Sequence, residues 1–215
     1  MLKGILGQSK DRSYSFPLIA EVEAYWQRLR QGRCIPKRSD LVPRGIRGAL
    51  PNAFILNVPD HGSARFRIVG SQISSLRQRD LNGSAVSDLI SEPRKGIIDD
   101  ILADVTVLPA KARLNFAQNE NDDRVIAQMV LLPMTNEAGQ LNRILGCLDF
   151  HPTLVRKASP QLLHPTGTVV RSLAVKSEDR VRRMRLPNLH LVSDNQMNLP
   201  LRPSSKRTAL RLVET

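Results

Sequence analysis

The segment that most constrains this chain runs from Arg124 to Met134, where apolar residues follow one another almost without interruption. A strand wetted on one face alternates apolar and polar residues, so so continuous a run reads as a strand in the middle of a sheet. Its neighbours in sequence fit that place. Ala110 to Gln118 sets Ala112, Leu114 and Phe116 against Lys111, Arg113 and Asn115, the period-two pattern of a strand. Asn119-Glu120-Asn121-Asp122-Asp123 and Asn136-Glu137-Ala138-Gly139 supply turns on either side. Asn142 to Phe150 is the last of the three strands, and Gly146 inside it marks a bulge or a close approach by another group.

Two further strands stand upstream. Ala53 to Val58 is a short apolar run, Pro59-Asp60-His61-Gly62 is turn chemistry, and Arg65 to Gly70 alternates Arg65 and Arg67 against Phe66 and Ile68. The pair reads as an antiparallel hairpin. Between the hairpin and the last three strands the period changes to that of helices. Ser71 opens a short helix carrying Ile73 and Leu76, and Ser84 caps another with Val86, Leu89 and Ile90. Pro93 begins the clearest long helix, striped by Ile97, Ile98, Ile101, Leu102, Val105 and Leu108 and ended by Pro109. Strands segregated from helices argue for an α+β fold built on an antiparallel sheet.

An amphipathic helix precedes all of this. From Pro17, Leu18, Val22, Tyr25, Trp26 and Leu29 recur at three- and four-residue spacing, and Gly32 is a natural stop. Pro36, Pro43 and Pro51 keep residues 33–52 an irregular, basic connector. Charge is distributed unevenly. Residues 1–50 hold ten basic and four acidic side chains, 51–150 ten and twelve, and 151–215 twelve and four. The net +12 therefore sits at both ends of a near-neutral centre. Such ends either provide solubility or attract nucleic acid, anionic lipid or an acidic protein face. Beyond Pro152 the periodicity fades, although Val169 to Leu173 and Leu186 to Val192 can pair locally as short strands or helices. The remainder reads as a basic tail, largely disordered.

Chemistry-bearing constellations are scarce. His61 lies in a turn, and His151, His164 and His190 lie at or beyond the end of the sheet; each reads as a solvated surface histidine. Cys34 and Cys147 are too few for a disulfide framework and have no zinc spacing. Asp99-Asp100 and Asp122-Asp123 are adjacent pairs whose side chains diverge, unlike an acid–base dyad. No phosphate loop or nucleophile elbow is present. No apolar run approaches the roughly 20 residues of a membrane span, and Met1 to Lys10 lacks the core of a signal peptide. A cytoplasmic, non-enzymatic chain with reduced thiols is the expectation.

The order of elements, and the phrases Tyr25-Trp26…Leu29-Arg30…Gly32, Pro36…Arg38…Asp40…Pro43, Leu50-Pro51…Phe54-Ile55-Leu56, Phe66-Arg67-Ile68-Val69-Gly70, Asp80-Leu81-Asn82-Gly83, Leu132-Pro133-Met134 and Ile144-Leu145-Gly146, resemble a group of short, single-PAS bacterial regulatory proteins. The resemblance spans about residues 20–150. It departs at Arg77-Gln78, where that group tends to carry an aromatic–glycine pair, and at Leu41-Val42, where the group tends to be more polar.

That resemblance implies a PAS-like five-stranded antiparallel sheet with helices on one face, an N-terminal flanking helix and the disordered basic tail. The units would be a flexible 1–16, a flanking helix and connector over 17–52, a PAS core over 53–151 and a low-order tail over 152–215. A cavity between sheet and helices would be walled by Phe66, Ile68, Ile73, Leu76, Leu89, Ile101, Val105, Leu114, Phe116, Met129 and Leu148. The same residues can equally be packed core. Polar groups to orient a ligand would come from Gln72, Asn115, Gln128 or Asp149. Haem and flavin are not expected: no histidine lies on the long helix, and Cys147 lies away from a flavin-reactive position. Leu18, Val22, Tyr25, Trp26 and Leu29 would contact a partner or a second copy in a homodimer. The function expected is a stand-alone sensory or regulatory module, part of signal transduction, acting on a separate signalling protein. The alternative uses the tail arginines Arg180, Arg182, Arg183 and Arg185 on nucleic acid. The tail's lack of aromatic residues for stacking speaks against it.

Overall fold

The computed structural model describes residues 14–173 except 93, 108, 121, 123, 155, 157 and 158, together with the backbone of 181 and 182. Three α-helices are described: α1 (Pro17–Arg30), α2 (Ser71–Arg77) and α3 (Gly96–Val107). The strands are β1 (Ala53–Asn57), β2 (Arg65–Val69), β3 (Ala110–Ala117), β4 (Ala127–Met134), β5 (Arg143–Phe150), β6 (His164–Ser172) and the two-residue β7 (Val181–Arg182). They form one sheet in the order β2-β1-β5-β4-β3-β6-β7, with every neighbouring pair antiparallel. The α+β class and the antiparallel sheet agree with the sequence. The continuous apolar run is indeed central: β4 lies between β5 and β3 and is buried at seven of its eight positions.

That burial comes from cover on both sheet faces. On one face α2, α3 and the short 3₁₀ turn Val86–Leu89 pack over Leu56, Phe66, Leu114, Met129, Leu131, Ile144 and Leu148. On the other, α1 and the connector pack over Val130, Leu132, Met134, Leu145 and Cys147. Successive residues of β4 and β5 thus point into two separate cores, which is why neither strand shows alternation.

The sheet is larger than expected. Residues 164–172 pair with β3 along Ala110–Ala117, and β7 adds a short rung beyond. The PAS-like core was expected to stop at 151; the tail expected from 152 instead contributes a nine-residue strand. The physical reason is the unpaired edge of β3, a row of free backbone donors and acceptors that Thr166, Thr168, Val169 and Val170 are well suited to satisfy. Of the tail arginines, Arg182 lies in β7, and Arg180, Arg183 and Arg185 lie outside the described residues.

One strand face also differs. Across β1 and β2, Phe54 pairs with Val69 and Ile55 with Ile68, but Leu56 pairs with Phe66. Arg67 is therefore the extra residue of a β-bulge. A bulge resets which face each later side chain meets. Phe66 enters the helix-side core, Ile68 turns to the opposite face and is 49% exposed, and Val69 packs back against the core. Strict alternation had put Ile68 beside Phe66.

Candidate functional site

Helix α1 is where sequence reasoning placed contact with a partner. Pro17 occupies the first turn, where its missing N–H leaves nothing unsatisfied, and Gln31 closes the helix in the left-handed region at φ 46°. No local side chain caps its start. Instead Asp149, from the last residues of β5, accepts the Leu18 N–H at 3.0 Å. Ile19, Val22, Tyr25 and Trp26 are buried against the chain's own sheet, with Leu18 and Leu29 partly buried at the margins. The Tyr25 hydroxyl donates to the Val42 carbonyl at 2.9 Å and accepts the Val42 N–H at 2.7 Å, tying helix to connector. Val22, Tyr25 and Trp26 are therefore not free anchors for a partner. The central strands need cover on this face, and the helix stripe supplies it.

Ten of the eleven residues named for a cavity wall or a packed core meet in one buried cluster. Phe66, Ile73, Leu76, Leu89, Ile101, Val105, Leu114, Phe116, Met129 and Leu148 all belong to the helix-side core, none more than 2% exposed. Ile68 is the exception, turned away by the bulge. None of these residues lines the surface clefts at Glu23–Arg171 or at Val58–Asn142. The four polar candidates do not line the wall. Gln128 donates to Asn115 at 2.8 Å, and with its cross-strand partner Asp149 it lies on the α1 face. Gln72 is exposed on α2.

One polar group that faces this core, and that sequence reasoning missed, is Thr168. It pairs with Leu114 across β3 and β6, is 8% exposed, and its buried Oγ1 has no hydrogen-bond partner. A buried hydroxyl without a partner is costly, and such groups call for an explanation. Its place could not be read from sequence, because nothing local says that β6 joins β3. At the start of the same strand, Ser91 Oγ and His164 Nδ1 lie 3.0 Å apart, and burial holds that imidazole below its ordinary pKa. His164 is thus half-buried rather than solvated. His61 is exposed, and His151 packs edge-on against Tyr14.

Arg77, where the resemblance breaks, has a structural use. Its Nη1 donates to the Gln161 carbonyl at 3.1 Å, while the Gln161 N–H returns to the Leu76 carbonyl at 2.9 Å. The chain leading into β6 is thereby clasped to the end of α2. Gln78 takes the left-handed cap at φ 53°, a conformation glycine would adopt more cheaply.

Both thiols are free. Burial first, and then Asp149 and Glu21, push the Cys147 thiol far above the usual range, which disfavours the nucleophilic thiolate. Among the described residues no group of three or more His, Cys, Asp or Glu side chains is placed to hold a metal. Nor is any described helix long and apolar enough to cross a membrane.

Helices thus cover one face of an antiparallel sheet over a buried, nearly all-apolar core. A family model described as PAS domain matches residues 16–149, more than half of the chain, from the start of α1 to the end of β5. The chain belongs to the PAS domain family. β6, β7 and the segment clasped by Arg77 lie beyond the matched residues. Among curated proteins none matches the chain.

Proposed function

We propose that this chain is a non-enzymatic PAS regulatory module that acts in the cytoplasm by contacting a separate signalling protein. Membership of the PAS family over residues 16–149 is the observation that carries the reading. The helix-side core is the sensing element, with a small ligand seated among Phe66, Ile101, Val105, Leu114, Phe116 and Met129. The unpartnered Thr168 hydroxyl supports that seat, since a bound molecule with one polar atom would satisfy it. Self-association uses surface outside Val22, Tyr25 and Trp26, which the chain buries in itself.

Native mass spectrometry of freshly purified full-length protein tests sensing and self-association together. A retained small-molecule increment lost on denaturation, on a dimer mass, is expected. A bare monomer mass removes both. Cross-linking in the native host followed by mass spectrometry tests the partner. One dominant cross-linked protein other than the chain itself is expected, and none would end the reading.

The second reading, a nucleic-acid-associated regulator, is favoured by twelve basic against four acidic residues after position 150. A mobility-shift titration at two salt concentrations separates the two, because phosphate contacts weaken steeply with salt. Absence of a shift at low salt rules this reading out.

A further inference from the structure

The sheet face that carries α1 is not covered to its edge. Past the helix, three arginines from three separate elements converge. Arg143 begins β5, across Asn57 of β1 from β2. Arg67 is the extra residue of the β2 bulge, on the same face. Arg38 is brought in by the connector, its N–H donating to the Thr135 carbonyl at 2.8 Å just past Met134, the cross-strand partner of Arg143. Arg143 Nη1 meets only neutral acceptors: the Asn57 side-chain oxygen, and the backbone and side-chain oxygens of Asn142 at 2.9 Å each.

Burial, then Arg67 and Arg38, hold the Arg143 guanidinium below its ordinary pKa, so the three charges feel one another. Among the described residues none of the three is in an ion pair. The nearest carboxylate in sequence, Asp40, is engaged by Arg33 at 2.6 Å and by the Lys37 N–H. Edge strands often carry isolated charges that discourage strand addition. Convergence from a connector, an edge strand and an interior strand goes beyond that. Ile68, next to Arg67, adds exposed apolar surface to the cations.

We propose that this corner of the sheet, formed by Arg38, Arg67, Arg143 and Ile68, docks an acidic, partly apolar segment of a partner protein. Carboxylates would satisfy the three cations, and an aliphatic side chain would cover Ile68. No aromatic side chain among these four offers a base a stacking platform, which disfavours single-stranded nucleic acid here. The proposal rests on the reading of the chain as a module that contacts a separate protein, and names the surface and the chemistry of that contact.

Fluorescence anisotropy with a labelled peptide of alternating glutamate and leucine, added to the full-length protein, tests it. Two of the cations are reversed in Arg38→Glu with Arg67→Glu, and Arg171→Glu serves as a control in β6, toward the far side of the same sheet. A second comparison reverses Arg180, Arg182, Arg183 and Arg185. Retained thermal unfolding shows that each variant folds. The corner variant should weaken peptide binding about tenfold or more, as loss of complementary charge at a docking surface does, while the control stays within about twofold. Ile68→Ser should weaken it less, but measurably.

Equal loss in the Arg171 control, loss only in the tail variant, or no peptide binding at all would overturn the proposal. So would binding of phosphatidylglycerol vesicles or duplex DNA through Arg38 and Arg67 in place of the peptide. The two failures separate. A cross-linked partner retained by the corner variant sinks this surface and leaves the regulatory reading. Peptide binding with no cross-linked partner does the reverse.

Discussion

The indole Nε1 of Trp26 donates to the carbonyl oxygen of Pro133 at 3.0 Å, joining the middle of α1 to the end of β4. The two residues explain each other. β3 pairs with β4 only as far as Leu131, so Pro133 lies where the ladder on that side has ended. The N–H and C=O of one strand residue point the same way, so proline forfeits no ladder bond there and its carbonyl is open to the indole. Trp26 is 1% exposed and the only tryptophan.

Trp26→Ala should cost about 3–5 kcal/mol, the usual range for emptying so large a buried site. Trp26→Phe keeps most of the apolar volume and loses the hydrogen bond, so its cost should be clearly smaller. Urea unfolding followed by circular dichroism measures both. A Trp26→Ala cost below about 1 kcal/mol, the scale of an exposed substitution, would mean that the helix is not docked.

Asp149 is the other fixture of α1. Burial raises its carboxyl pKa, and the Leu18 and Phe150 N–H groups partly offset that rise. The folded state then holds a proton more tightly than the unfolded chain. This contribution to stability is fully present below the unfolded carboxylate pKa and fades as pH rises through the folded value. Asp149→Asn keeps an oxygen for Leu18 and removes the titration. It should be at least as stable as the parent at neutral pH, with a flatter stability profile across the acidic range. Asp149→Ala loses the cap and should cost about 1 kcal/mol. Thermal melts from acidic to neutral pH test both, and an Asp149→Asn profile as steep as the parent's would refute the assignment.

Gly146 faces Phe54 across β5 and β1, and a Cβ there would strike the phenyl ring. Gly146→Ala should cost about 1–3 kcal/mol, as overpacking does. Combined with Phe54→Leu the loss should be less than additive, a coupling of about 0.5 kcal/mol or more for residues in contact. Strict additivity in denaturant unfolding would place the ring elsewhere.

The bulge separates two neighbours of similar hydrophobicity. Phe66→Ala should cost about 3–5 kcal/mol and Ile68→Ala within about 0.5 kcal/mol, the ranges for a buried aromatic and an exposed site. Comparable costs in urea unfolding would mean that β2 alternates regularly after all.

Much of this arrangement was legible because it is local. The Ile98–Val105 stripe of α3, the turn after β1, the unbroken apolar run of β4 and the glycine of β5 each act through near neighbours or a fixed period. What escaped sequence reasoning depends on partners distant in the chain. Ile68 follows the bulge, which is set by pairing with β1. Thr168 faces the core only because β6 chose the β3 edge. Asp149 looked like a ligand-binding side chain and instead caps a helix whose Leu18 lies 131 residues earlier. The stripe of α1 was read correctly as apolar. That it covers its own sheet, rather than a partner's surface, follows from two central strands that need burial on both faces.

Hydrogen–deuterium exchange of the full-length protein, diluted until it is monomeric, tests that intramolecular cover most directly. The amides of α1 between Val22 and Leu29 should exchange by the same large-scale opening as those of β4, with comparable protection. Fast exchange throughout α1 while β4 stays protected would contradict it, and would return Trp26 to the role of a free partner anchor.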